Sequence, residues 1–407
     1  MAEERLSICM VTTFYPPLHF GGDAMHAYRL TNELARRGHE VTVVHNADAY
    51  RALGGAEASG DFDAPPGVTM RPLETRFAKG SALTTYLTGR PARYASELES
   101  IFRRERFDVV HFHNVSLAGG PGVLRYGSGV KLYTMNEHWL VCPMHVLFRD
   151  NREPCVDPHC LRCTLAFRRP PQLWRYTGLL KRELRHVDLF LSPSRFTARA
   201  HAARGFERPI RHLPYFLSTR EALPAPPIER ERPYFLFAGR LERIKGVQVL
   251  IQAFRSYVDA ELLIVGDGAY AHELRGQAAG LDHVHFFGRV HPSQLSGLYA
   301  GAVALLAPSV GYETFGIVVL EAFAQRTPAI VHDLGALPEL IADAGGAGIA
   351  YSTLAELKDA LRRMQADVSL RQELGERGHR AWRALWSEDA HMPAYFDAIT
   401  EARRGRG

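Results

Sequence analysis

Two glutamates eight positions apart, Glu313 and Glu321, bracket the start of an apolar run in PSVGYETFGIVVLE. An apolar strand over 302–307 ends at Pro308, a loop carries Glu313, and Thr314–Phe315–Gly316 opens a helix beginning at Ile317. Ile317 and Glu321 stand four apart, so Glu321 lies on the side of the helix that its first turn occupies. The unpaired N–H groups of such a helix start attract anions, phosphate above all. A phosphate at the tip, with one carboxylate before it and another one turn in, suits a nucleotide-sugar: anions meet N–H groups, hydroxyls meet carboxylates. The alternative is an ordinary helix start with two incidental glutamates.

Other residue types point to the same chemistry. Gly239–Arg240 closes the apolar run YFLFAG, and Lys245 follows five residues later beside the next helix. Two fixed cations there can hold a diphosphate and stabilise it as a leaving group. Asp267–Gly268 and Gly288–Arg289 end the next two strands, where they line a nucleobase pocket or simply form turns. Gly21–Gly22, in the loop FYPPLHFGG, either lets a phosphate or sugar approach the backbone or serves as a flexible turn. His111, His113 and Asn114 end the strand over 107–113, and Asn136–Glu137–His138 end the strand over 130–136. Polar residues at the carboxyl ends of buried strands are candidates for a binding cleft.

An insertion places Cys142, Cys155, Cys160 and Cys163 within 22 residues. Four thiolates so spaced can hold a tetrahedral zinc ion, with His145 and His159 as alternative ligands. Disulfides or free thiols are the rivals, and Cys9 reads as a core thiol. Asp61–Phe62–Asp63 has the form of a metal-binding DxD but sits among Gly, Ala and Pro, and reads as solvated loop. Residues 168–185 carry six basic residues against one acid, with Trp174 and Tyr176 among them. They form either a patch for a lipid-linked acceptor or anionic membrane, or the solvated face of a surface helix.

Strand-like and helix-like runs alternate along the chain, which predicts parallel sheets with helices on both faces. The first strand spans 6–13, Asp23 is placed to cap a helix running to Arg37, and EVTVVHN is the second strand. Residues 47–80 read as loop. A stretch rich in Pro and charge, 217–233, divides the chain, and alternation restarts beyond it. The expected organisation is an N-terminal domain over 1–216, the linker, a C-terminal domain over 234–386, and a final helix within 387–407. Met392, Tyr395, Phe396 and Ile399 give that helix an apolar stripe that must pack on something.

The 407 residues, 46% apolar and 23% charged, allow two globular domains. No apolar run reaches the ~20 residues of a membrane span. The acids before the first apolar run argue against a secretion signal, so a cytoplasmic enzyme is expected. A net charge of +5 fits anionic substrates or the inner face of a membrane. Nothing resembles a nucleic-acid module. ELLIVGDGAY offers only GxG and not the dinucleotide fingerprint GxGxxG, which makes a dehydrogenase the least favoured reading.

Taken together, the motifs resemble the retaining, GT-B-fold nucleotide-sugar glycosyltransferases of family 4. Glu313 and Glu321 match the E-x7-E pattern, Arg240 and Lys245 the phosphate-binding pair in GRLERIKG, and FYPPLHFGG the N-terminal glycine loop. TMNEHWLVCP resembles a stretch of a subgroup that also carries the cysteine insertion. The resemblance implies two Rossmann-like domains facing across a cleft, with the last helix crossing back to the first domain. It implies Glu313 on the donor sugar, Glu321 on the ribose, and Arg240 and Lys245 on the diphosphate. Backbone groups around Thr314–Phe315–Gly316–Ile317 and Gly21–Gly22 would complete the donor site, UDP being the expected nucleotide. No metal is implied for catalysis. Asn136–Glu137 stand where that subgroup has His-Asp, with His138 one place on. Arg326 stands where a glycine is usual. A sugar-nucleotide epimerase or hydrolase on the same plan, and a non-catalytic binding scaffold, are the alternatives.

Overall fold

The computed structural model describes residues 5–55, 62 and 65–406. Asp61 and Asp63 of the DxD triplet lie outside these residues. A seven-stranded sheet has the order β3-β2-β1-β4-β5-β8-β9. Its strands are β1 (Ser7–Thr12), β2 (Glu40–Asn46), β3 (Val68–Leu73), β4 (Val109–Phe112), β5 (Val130–Thr134), β8 (Leu189–Ser192) and β9 (Ile210–His212). Between β5 and β8 a small hairpin pairs β6 (Phe148–Arg149) with β7 (Glu153–Pro154). The second sheet has six strands in the order β12-β11-β10-β13-β14-β15. They are β10 (Tyr234–Ala238), β11 (Glu261–Val265), β12 (Val284–Gly288), β13 (Leu305–Ala307), β14 (Ala329–His332) and β15 (Gly348–Tyr351). Every pairing within both large sheets is parallel.

Burial on both faces explains why the central strands read as unbroken apolar runs. In β1, Ile8 and Met10 join one core cluster while Cys9 and Val11 join the cluster on the opposite face. In β10, Leu236 and Ala238 face one core, Phe235 and Phe237 the other. Cys9 is fully buried, as expected of a core thiol. Helix Glu388–Arg404 crosses back to the first sheet: Met392, Tyr395, Ala398 and Ile399 pack with Ile8, Val43, Leu132 and Leu191. The molecule is thus two doubly wound halves, with the last helix returning to the first.

Three local expectations are corrected. Residues 47–80 are not loop but contain helix Ala47–Ala52, strand β3 and the start of helix Ala78–Thr88. The short helix is capped by Asn46, whose side chain accepts from the Ala49 N–H at 2.9 Å. Strand β3 lies at the sheet edge, where polar residues and Pro72 are tolerated, so it carries little strand signal. The first helix starts at Gly22 with Gly21 at its cap position, so Asp23 lies within the first turn. The basic stretch 168–185 is not one helix: Gly178, at φ 73°, separates turn Leu173–Tyr176 from helix Leu179–Glu183. Trp174 is buried, and its indole N–H donates to the Tyr86 carbonyl at 2.9 Å.

Candidate active site

The topology of each half creates one crevice. The strand order reverses between β1 and β4 in the first sheet and between β10 and β13 in the second. Open parallel sheets bind ligands beyond the carboxyl ends of strands at such reversals. The loops that leave these strands carry Gly21–Gly22 and Asn114 on one side, Gly239–Arg240 and Ser309–Glu313 on the other. All of them line a single large cleft between the halves.

Lys245 and Glu313 meet on the wall of that cleft. Lys245 Nζ lies 2.7 Å from Glu313 Oε1, and the Ser309 hydroxyl donates to the same oxygen at 2.6 Å. Burial alone would raise the Glu313 pKa. Lys245, Ser309 and Arg240 outweigh it and hold the carboxyl below its ordinary value. Lys245 sits just before Gly246, which starts helix Val247–Phe254 at φ 78°. A Cβ at Gly246 would meet the Pro308 carbonyl oxygen at 1.9 Å. Only glycine therefore permits the close approach that brings the Lys245 turn onto the Ser309–Glu313 loop. Gly316 has φ 115° and starts helix Ile317–Ala324, leaving the first N–H groups of that helix beside the cleft.

Arg240 bridges the halves by position. A Cβ on Gly21 would lie 3.5 Å from Arg240 Nε, so the N-terminal glycine loop directly faces this guanidinium. Arg240 is half-exposed and pairs with Glu242 at 2.8 Å. Thr314 Oγ1 donates to the Asn136 carbonyl at 3.0 Å, and Thr197 Oγ1 donates to the Thr314 carbonyl at 3.2 Å. The loop after Glu313 is thereby stitched to the first half.

Of the residues singled out in the sequence, Gly21, Gly22, Gly239, Arg240, Lys245, Glu313, Thr314, Phe315, Gly316, Ile317, Asn136, Glu137 and His138 line the cleft. Gly268, Arg289, His113 and Glu321 are not among its lining residues. Glu321 instead accepts from the Tyr299 hydroxyl at 2.9 Å and lies 3.8 Å from Arg29. Burial, only partly offset by Arg29 and Tyr299, raises its pKa. His113 is buried behind the wall, its pKa lowered to about 3 by burial, and it meets the Asn136 amide at 3.2 Å. His138 reaches the wall but is 1% exposed, and burial lowers its pKa well below the ordinary value.

Residues that sequence reasoning passed over also line the cleft: Arg29, Tyr215, Ser309, Arg169, Arg243 and Tyr270. Arg29 comes from the middle of helix Gly22–Arg36 and pairs with Glu221 at 2.6 Å. Nothing in its local sequence distinguishes it from a surface arginine. His145, weighed only as a zinc ligand, lines the cleft with its Nδ1 2.6 Å from Glu137 Oε2.

Cys142, Cys155, Cys160 and Cys163 are free thiols that border one small separate cavity together with His159. The Asp150 N–H points at Cys163 Sγ, 3.4 Å away. Among the described residues, no group of three or more His, Cys, Asp or Glu is arranged to hold a metal ion. The zinc expected from cysteine spacing finds no coordination geometry here, because proximity around a cavity is less than convergence on one point.

Known proteins bear on this geometry. The description "Glycosyltransferase Family 4" matches residues 20–221, and "Glycosyl transferases group 1" matches residues 218–381. Both halves of the cleft therefore carry the same assignment. The chain belongs to the glycosyltransferases. This glycosyltransferase is 27% identical over 352 residues to an uncharacterised glycosyltransferase of Methanocaldococcus jannaschii, with 83% of each chain covered. Sucrose-phosphate synthase from Thermosynechococcus elongatus superimposes with a TM-score of 0.73 at 18% identity, covering 98% of this chain and 100% of that one. Anabaena HepE, solved in complex with UDP and glucose, gives a TM-score of 0.69 at 15% identity, covering 97% and 100%. These solved structures establish the GT-B fold.

Proposed function

We propose that the glycosyltransferase moves a sugar from a nucleoside diphosphate, UDP in the first instance, to an acceptor hydroxyl with retention at the anomeric carbon. The observation that carries this reading is the cluster of Lys245, Glu313 and Ser309, with Arg240 facing Gly21 at the meeting of two strand-order reversals. Arg240 and Lys245 neutralise the diphosphate as it leaves. Glu313, kept ionised by Lys245, accepts hydrogen bonds from the donor sugar hydroxyls and orients them. The N–H groups at Phe315–Gly316 and Gly21–Gly22 meet the phosphates, and Glu321 takes the ribose on exchanging Tyr299 and Arg29 for its hydroxyls. The anomeric C–O bond to the diphosphate breaks as the acceptor oxygen bonds on the same face. The acceptor proton passes to the departing diphosphate oxygen.

On this reading residues 1–216 receive the acceptor and 234–386 hold the donor. HepE, in complex with UDP and glucose, supports UDP as the first nucleotide to test. Catalysis draws on no metal ion. Zinc in the cysteine insertion is proposed as a structural ion on the cysteine spacing alone, and the four thiols that border one cavity would have to draw together to hold it. About one equivalent in purified protein supports it, and a content well below one ends it. Peripheral contact with a membrane on its cytoplasmic side is supported by the exposed Phe77, Leu83, Leu87, Leu173 and Tyr176. No helix among the described residues is long and apolar enough to cross a membrane.

The deciding experiment is a thermal-shift panel of UDP- and GDP-sugars, followed by NMR of the product formed from the sugar that stabilises most. An axial donor should give an axial product. Stabilisation by none of the nucleotide-sugars overturns the reading. Conversion of the donor without transfer or hydrolysis favours an epimerase.

A further inference from the structure

Four residues on the acceptor side of the cleft were candidates to meet an incoming hydroxyl, and three are already committed elsewhere. The Asn136 side chain meets His113 at 3.2 Å and accepts from the Tyr215 hydroxyl at 2.8 Å. His113 is fully buried and His138 is 1% exposed. Glu137 remains, and its carboxylate holds His145 at 2.6 Å, both side chains being 18% exposed. This pair stands beside the Asn136–Thr314 contact, and Thr314 directly follows Glu313. Glu137, His145 and Glu313 line the same cleft.

We propose that His145 is the acceptor-binding imidazole of this enzyme, held by Glu137 in the tautomer that binds. The inference rests on the glycosyl-transfer reading and names the group that receives the acceptor. Both residues line the cleft, with the ring nitrogen and the carboxylate oxygen 2.6 Å apart. A carboxylate at Nδ1 requires a proton there, and in the neutral imidazole Nε2 is then the hydrogen-bond acceptor. Nε2 then accepts the O–H of the incoming hydroxyl and aims its oxygen lone pair at the anomeric carbon. As the anomeric C–O bond breaks, the hydroxyl turns its O–H from Nε2 to the departing diphosphate oxygen, which takes the proton, so His145 positions the nucleophile as it docks and is not consumed.

The backbone supports a dedicated placement. His145 has φ 72°, a left-handed conformation uncommon outside glycine. It is held there by its N–H on the Cys142 carbonyl at 3.0 Å and by the His138 N–H on its own carbonyl at 2.9 Å. Phe148, three residues on, packs toward Gly311 of the second half: a Cβ at Gly311 would meet its ring at 3.2 Å. The cysteine-bearing insertion thus delivers this imidazole to the meeting line of the two halves.

The test uses the intact enzyme and the variants His145→Ala, His145→Gln and Glu137→Gln. Hydrolysis of UDP-glucose or GDP-mannose, with water as acceptor, is the kinetic probe, and binding of UDP or GDP is the control. His145→Ala should slow turnover about tenfold, the worth of one well-made hydrogen bond, with nucleotide affinity within twofold. His145→Gln, whose amide oxygen can reach the Nε2 position, should recover part of the loss. Glu137→Gln should lose nearly as much as His145→Ala, because an amide N–H at Nδ1 reverses the tautomer. Nitrogen NMR of labelled histidine, assigned by the His145→Gln difference, should show the proton on Nδ1 in the wild type. Wild-type turnover in His145→Ala, or a proton on Nε2 in the wild type, overturns the proposal. Failure of the wild type to bind either nucleotide overturns the glycosyl-transfer reading instead, and the NMR result is independent of it.

Discussion

Glu313 and Lys245 are 68 residues apart, and each defines the state of the other. Lys245→Ala should leave the protein folded and reduce transfer by about 10²–10³-fold or more, since it removes a cation placed where charge develops. Near-normal turnover in that variant would contradict the proposed role. The paired carboxyl also makes a stability prediction with a definite sign. The folded-state pKa of Glu313 is depressed, so its favourable contribution is present above the unfolded carboxylate value and is lost as pH falls through the folded value. Glu313→Gln should therefore lower the melting temperature at neutral pH. The gap to wild type should close well below about pH 4, where the unfolded carboxylate is itself protonated. Residue type and spacing alone singled out Glu313, Arg240 and Lys245, which line the cleft, and Glu321, which does not and is tied instead to Tyr299 and Arg29. Arg29 and the Glu137–His145 pair were not, because their meaning comes from partners brought close only by folding.

At the scale of elements, glycines and one helix decide the geometry. Gly246 lets the Lys245 turn pass under Pro308, and its φ of 78° favours no other residue. Gly246→Ala should cost at least about 1–3 kcal/mol from backbone strain, with the Pro308 clash in addition. A thermal melt reads the loss, and weakened nucleotide binding should accompany it because the Ser309–Glu313 loop must shift. The returning helix was visible as an apolar stripe, and Ile399, 2% exposed, is one of its anchors. Ile399→Ala should destabilise by about 2–5 kcal/mol in denaturant unfolding. The edge strand β3 and the short helix before it were read as loop. An edge strand buries little, so its residues are under weak pressure to alternate. Arg326, at φ 59° in the turn after helix Ile317–Ala324, occupies a glycine-like conformation, which accounts for the family's preference there.

At the scale of the whole molecule, polar contacts join the two halves. Arg29, 8% exposed, lies between Glu221 of the connecting segment and Glu321 of the second half. Arg195 and Arg199 reach Asp343 and Glu339, each at 2.7 Å. The latter arginines are exposed, and such pairs contribute about 0–1 kcal/mol each. Arg29→Ala should cost more, about 1–3 kcal/mol, because it removes a buried guanidinium and leaves the largely shielded Glu321 without its cation. Denaturant unfolding checks the stability. The same variant should bind a nucleotide with altered affinity if Glu321 must leave Arg29 to reach a ribose, which titration calorimetry measures.

Two parallel sheets, most of their strand ends, and the grouping of Arg240, Lys245 and Glu313 near strand ends follow from periodicity and local pattern. These features are encoded within a few residues of themselves, because strand burial, helix starts and turn glycines are short-range demands. Only the tertiary structure decided that Gly21 faces Arg240, that Glu321 is tied to Arg29 and Tyr299, and that Glu137 and His145 pair at the cleft. It also decided that four closely spaced cysteines border a cavity without converging on one point. Each of those facts is a distance between segments that the chain order leaves unrelated, and it is set by how the two halves pack.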